Sequence, residues 1–252
     1  MKSSAPALFL AAITLLAVIA LPSISTAVGL PTLTFGVEDA ESTTQVSSAL
    51  QVLFLLTILS IAPAILLMMT SFSRIVIVLG FVRMAMGTNN MPPTQVVIGL
   101  SLFLTFFIMS PTLNAINNEA LQPYLSEEIS QQEALENALE PMRDFMFSHV
   151  MEAELALLSD LTLEAEPLDK EDIPTMTLIP AFMLSELKRA FQMGFMIYIP
   201  FLVIDMIVAS VLMSMGMMML PPVIISMPFK LLLFVLIDGW GLVAGSLLKS
   251  FG

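Results

Sequence analysis

Apolar residues along this chain fall into long blocks, not into the strict alternation of half-buried strands. Residues 50–69 form an almost unbroken apolar run, long enough as a helix rising about 1.5 Å per residue to cross a bilayer. Pro63 interrupts it and predicts a kink. Residues 96–109 form a second block, whose helix is predicted to start near Thr94. Residues 191–220 form a third and residues 231–248 a fourth. Residues 75–86 are also apolar, but Arg74 and Arg83 punctuate them and the run is too short to span alone. That piece is predicted to be re-entrant or packed against other helices.

Punctuation supports this division. Residues 87–94 (Gly, Thr, Asn, Asn, Met, Pro, Pro, Thr) are a turn signal, because Gly and Asn accept positive φ and two prolines stop a helix. Thr94 is then the expected N-cap. Residues 117–172 carry good helix formers, with Leu135 and Leu139 on one face. Pro141 is expected in the first turn of a new helix, and residues 159–176 read as a polar loop. The double proline Pro221-Pro222 ends any helix coming from residue 191 and predicts a bend at the mouth of a hairpin.

Composition sharpens the class. Of 252 residues 57% are hydrophobic and 12% charged, with a mean hydropathy of +0.92. A soluble domain of this size carries roughly 25% charged residues, so the pattern reads as an all-α integral-membrane protein. Net charge is −12. Residues 119–172 hold fifteen acids against Arg143 and Lys170, which exceeds the whole net charge. Such a segment reads as a solvated helical face, or as a surface that steers a charged partner. The chain has no basic groove for phosphates, which argues against nucleic-acid binding. With no cysteine and one histidine, His149, disulfides, thiolate chemistry and a multi-histidine metal site are excluded within one chain.

At the amino end, Lys2, the apolar residues 7–21 and the small residues Ser25-Thr26-Ala27 read as a cleavable secretory signal, followed by a polar flexible stretch over 28–45. The division expected beyond it is a first helical hairpin over 46–116, an acidic helical segment over 117–180, and a second hairpin over 181–252. Four crossings starting outside place Arg74, Arg83 and Lys230 inside, in keeping with the positive-inside rule, and the acidic segment outside. Lys188 and Arg189 fall on the outer side and break it.

Three features carry candidate chemistry. Asp205 and Asp238 each lie in an apolar stretch, where a carboxylate is expensive and suggests function. One reading is the dyad of an intramembrane aspartyl protease. The other is one ion pair or hydrogen bond per aspartate, with Lys188, Arg189, Lys230, Arg74 and Arg83 as available partners. Met217, Met218 and Met219 sit on the predicted bend within a wider crowd that includes Met206, Met213, Met215 and Met227. Their thioethers suit Cu(I), ordinary core filling, or a deformable apolar constriction. Ser185 and Glu186 stand four and three residues before Arg189 on a helix, a spacing for a local ion pair or a register contact between subunits. No nucleotide loop, serine elbow or zinc helix occurs.

These motifs, in this order, resemble the FliP family of flagellar export-gate proteins. Ser71-Phe72-Ser73-Arg74-Ile75 with Asn89-Asn90-Met91-Pro92-Pro93-Thr94-Gln95 looks like its first signature and residues 180–195 like its second. Met217-Met218-Met219-Leu220-Pro221-Pro222, Pro228-Phe229-Lys230-Leu231 and Asp238-Gly239-Trp240 resemble its carboxy-terminal block. The likeness runs from about residue 45 onward and is weakest in the acidic middle. It implies helical hairpins assembled as a right-handed helical ring, of five copies in that family, with FliQ and FliR and adjoining FlhB and FlhA. It implies an inner-membrane, basal-body location and unfolded flagellar subunits as cargo. It further implies that Met217, Met218 and Met219 correspond to a methionine gasket, that Glu186 and Lys230 pair between neighbouring subunits, and that no cofactor is needed.

Overall fold

The computed structural model describes residues 43–88, 91–162, 170–217 and 219–252. The expected signal segment 1–27, residues 28–42 of the polar stretch, Asn89, Asn90 and Met218 lie outside them. Among the described residues all regular structure is helical. The chain divides into two compact units, Met1–Leu53 and Phe54–Gly252. In the first unit the described residues are the opening turns of α1 (Thr43–Met68). From Leu50 to Met68 no residue of this helix is buried, and Pro63 lies inside it.

In the second unit, α2 (Phe72–Ala85) is the centre of the core. Ile75, Val78, Leu79, Val82 and Ala85 recur at the spacing of one helical face and are almost fully buried. They pack on Ala190 and Phe201 of α7 (Thr175–Ser214) and on Val97 and Leu104 of α3 (Thr94–Ile116). Residues 75–86 are therefore a packed helix, one of the two forms expected of them. α3 continues through a π-helical turn, Asn117–Leu121, into α4 (Gln122–Leu125). The π-turn falls just before Pro123, whose ring removes a donor from the helical ladder. A second cluster joins Met109 of α3, Met142, Phe145 and Met146 of α5 (Gln131–His149), and Leu178 and Phe182 of α7. The short α6 (Glu152–Thr162) leans on α7.

The structure corrects several expectations. Pro141 does not start a helix but lies inside α5, which loses one hydrogen bond there and continues. Residues 159–176 are not wholly loop: α6 reaches Thr162, a 3-10 turn covers Lys170–Asp172, and α7 begins at Thr175. Pro93, not Thr94, is the N-cap of α3, and the Thr94 hydroxyl accepts from Arg83 Nη1 at 3.0 Å. The fourth apolar block is two helices, α8 (Pro222–Leu236) and α9 (Gly239–Lys249), bent by 63°. Asp238 makes the break with φ of 52°, a left-handed conformation that short polar side chains tolerate.

Three helices among the described residues are long and apolar enough to cross a membrane: Leu50–Met68, Thr94–Leu125 and Thr175–Ser214, with 19, 32 and 40 residues. At 1.5 Å per residue the longest extends about 60 Å, roughly twice the hydrocarbon thickness of a bilayer. Part of α7 must therefore leave the lipid, which relaxes the match between hydropathy and membrane depth.

Gly194 sets the approach of α2 to α7. A methyl group there would lie 2.5 Å from Phe81 Cγ and 3.0 Å from its Cβ, the stiff base of the side chain. Gly194→Val should therefore cost about 1–3 kcal/mol through overpacking. Gly80→Ala, with nothing near its added methyl, should hold or raise stability by up to about 1 kcal/mol. Thermal unfolding in detergent separates the two.

Candidate functional site

The methionine bend is fixed at both ends by backbone chemistry. Gly216, at φ of 75°, ends α7 in a left-handed turn. The Gly216 amide donates to Met213 O at 3.0 Å and the Met217 amide to Leu212 O at 3.0 Å, the paired bonds of a Schellman cap. Pro221 then caps α8, with Pro222 in its first turn, where a missing amide hydrogen costs nothing. Between these stops the side chains turn outward: Met219 is 98% exposed and Met217 is 40% exposed. Below the bend, Ile204, Val208, Leu212, Ile225 and Phe229 help line a wholly apolar cleft of about 520 Å³ between α7 and α8.

The same hairpin carries one buried ion pair. Lys230, 2% exposed, donates from Nζ to Asp205 Oδ2 at 2.6 Å, and the Ser226 hydroxyl donates to Asp205 Oδ1. Ser226 and Lys230 lie four apart on one face of α8, so both reach the same carboxylate across the hairpin. Asp238 is exposed at the α8–α9 break and stands at the N-terminus of α9, where a negative charge suits the helix dipole. The two aspartates thus have separate roles. A carboxylate neutralised by a buried ammonium is not the proton-sharing partner that an aspartyl dyad needs.

A second network joins α2, α5, α7 and the end of α9. Arg74 is 1% exposed and Glu186 fully buried. Arg74 Nε donates to Glu186 Oε2 at 2.7 Å and Nη2 to Oε1, the two-pronged geometry that only a guanidinium offers. Its remaining amine, Nη1, donates to the carbonyl and hydroxyl oxygens of Ser250 at 2.8 and 2.9 Å. The guanidinium also covers the Phe251 ring, 3.7 Å from its centroid. Arg189 stands 3.7 Å from Glu186 at the expected i,i+3 spacing and donates to His149 O at 2.6 Å. Ser185 turns away from Arg189, donating to Ala181 O and accepting from the Met151 amide. His149 is a packed histidine, against Phe145 and Phe251.

Arg74, Glu186, Arg189, Asp205 and Lys230, all candidates on sequence grounds, find partners within the chain. Arg74 and Lys230 are therefore held by ion pairs within the chain, so neither reports which side of a membrane it faces. Ser250 and Phe251 carried no signal in the sequence. Ser226 did, as a hydroxyl one turn before Lys230 in an otherwise apolar helix. Lys188 pairs at the surface with Glu154 at 2.8 Å. The hydrogen bond from Lys188 holds the Glu154 carboxyl below its usual range. Because the folded pKa is the depressed one, this pair stabilises fully above the unfolded value of about 4.3 and is lost as pH falls through the lower folded value. Glu154→Gln should remove that acid-side loss, which unfolding curves recorded from neutral pH down to about pH 3 would reveal.

The site and fold define an all-helical, membrane-type chain whose longest hairpin presents exposed methionines on a capped bend above one ion pair. A sequence model of the FliP family matches residues 55–247. Flagellar biosynthetic protein FliP of Bacillus subtilis is 58% identical over 217 residues, covering 86% of this chain and 97% of that protein. FliP of Pectobacterium carotovorum is 55% identical, covering 81% and 79%, and FliP of Aquifex aeolicus is 51% identical, covering 81% and 86%. The chain belongs to the FliP family.

Proposed function

We propose that this chain is a pore-forming component of the flagellar type III protein export gate, passing unfolded flagellar subunits across the bacterial inner membrane at the basal body. The observation that carries the reading is the bend between α7 and α8: the Met217 and Met219 thioethers held outward by a capped helix on one side and a proline-started helix on the other. Methionine side chains exclude water and ions by apolar contact yet repack around many different passing side chains. In this reading Met217, Met218 and Met219 form the gasket.

The exposed apolar faces of α1, α3, α7 and α8 then meet lipid, further copies of this chain (five in a helical ring), and the FliQ- and FliR-type subunits, with FlhB and FlhA adjoining. Phe103, Phe106, Phe195, Met196, Leu232 and Val235 are all more than half exposed, which favours such burial over a free surface. Glu186 and Lys230, buried in pairs with Arg74 and Asp205 within the chain, would shape the faces that neighbouring subunits meet and not touch those subunits themselves. The acidic segment would lie outside the membrane on the periplasmic side. Energy comes from elsewhere in the apparatus, since the sequence carries no nucleotide motif. A protease reading has no supporting observation, given the pairing of Asp205.

Native mass spectrometry of the complex extracted after co-expression with FliQ and FliR tests the assembly. Several copies of this chain in one stable particle are expected. A monomer indifferent to both partners would overturn the reading.

A further inference from the structure

We propose that Met219, on the methionine bend, is a site of reversible sulfur oxidation by peroxide-class oxidants, and that oxidation there opens the seal. The proposal rests on the gasket reading above. The chain contains 21 methionines and no cysteine, so every sulfur open to oxidation is a thioether. Their accessibility is sharply uneven. Met109 and Met146 are 2% and 0% exposed, whereas Met219 is 98% exposed.

Met91, Met176 and Met215 are also exposed, at 69%, 82% and 66%, so what singles out Met219 is its place on the bend together with the highest exposure among the described methionines. Met196, Met206 and Met213 project from the membrane-capable helix α7, where lipid or neighbouring helices cover them. Gly216, Met217, Met219, Leu220 and Pro221, the described residues of the bend, lie between two helices and in neither. In the gate, a polar oxidant would meet Met219 from the aqueous side of the seal. The Schellman bond from Met217 and the proline start of α8 keep the bend from folding its side chains back into the core.

The chemistry balances without any other group. Hydrogen peroxide transfers one oxygen to the thioether: the S–O bond forms, the O–O bond breaks, sulfur loses two electrons and water leaves. A thiol-dependent methionine sulfoxide reductase reverses it, with two thiols becoming a disulfide and the oxygen leaving as water. The product is a polar S=O group in place of an apolar one. A constriction that excludes ions by dewetting is wetted by such a group.

The test treats vesicles carrying the assembled gate with hydrogen peroxide, then maps sulfoxides by mass spectrometry and records ion conductance. Met219 should oxidise about tenfold faster than Met146 or more. Conductance should rise about tenfold and fall again after reductase with dithiothreitol. In Met219→Leu, which has no sulfur at that position, the ratio of conductance after oxidant to before should approach unity. Equal oxidation of Met219 and Met146 would overturn the proposal and leave the gasket untouched. Rapid oxidation without leak would also overturn it, and the Met217→Ala, Met219→Ala double variant then separates the causes. If that variant leaks, only the oxidation proposal falls; if it too stays tight, the gasket reading falls with it.

Discussion

Replacing Glu186 by alanine should destabilise the chain by about 3–5 kcal/mol, the usual cost of leaving one member of a buried ion pair without its counter-charge. Arg74 would keep the Ser250 oxygens and the Phe251 face, but no anion. Arg74→Ala should cost less, because Glu186 retains Arg189 at 3.7 Å. Arg189→Ala should cost least, about 1 kcal/mol or under, since its side chain is 32% exposed and screened by solvent. The order Glu186, Arg74, Arg189 is the content of the prediction, and unfolding of the three variants in one detergent reads it. Equal losses for Glu186→Ala and Arg189→Ala would show that the pair does not organise the core. The Arg74→Met, Glu186→Leu double variant should recover part of the loss, because apolar replacement removes both charges together.

Lys230→Ala should be the next most damaging change, at about 2–3 kcal/mol. It strands Asp205 on an apolar helix with Ser226 as its remaining partner. The figure sits below that for Glu186 because Asp205 is 23% exposed and partly solvated. The pair ties α7 to α8 below the methionine bend, so the variant should also loosen that hairpin, seen as faster proteolysis at residues 215–221. Asp205→Asn combined with Lys230→Met should restore much of the stability. A proteolytic dyad predicts otherwise: either aspartate variant alone would abolish turnover, and no change at Lys230 would rescue it.

Much of this arrangement was legible in the residues, and the exceptions have physical causes. The apolar blocks located the long helices because a helix in or near lipid must be apolar along most of its length, whatever packs on it. The shortness of the run at 75–86 leaves α2 as a re-entrant or a packed piece, and the burial of Ile75, Val78, Leu79 and Val82 on one face decides for the packed one. Arg74 carries no weight for topology, because the positive-inside rule assumes charges free in solvent and Arg74 is buried. The fourth block looked continuous because hydropathy does not register backbone geometry. The Asp238-Gly239 pair was a turn signal as much as an intramembrane acid. The partnership of Arg74 with Glu186 is separated by 112 positions and is set by tertiary packing alone. Ser226, one turn from Lys230, shows that a hydroxyl in an apolar helix is worth reading as a second ligand for a nearby charge.

The central claim is that the bend between α7 and α8 seals a pore, and ion conductance tests it most directly. Vesicles or cells carrying the complete gate would be compared with those in which Met217, Met218 and Met219 are replaced by alanine. With assembly checked by native mass, the account predicts intact particles and a conductance raised about tenfold or more, since the constriction widens and wets. Intact particles that remain as tight as the parent would contradict it.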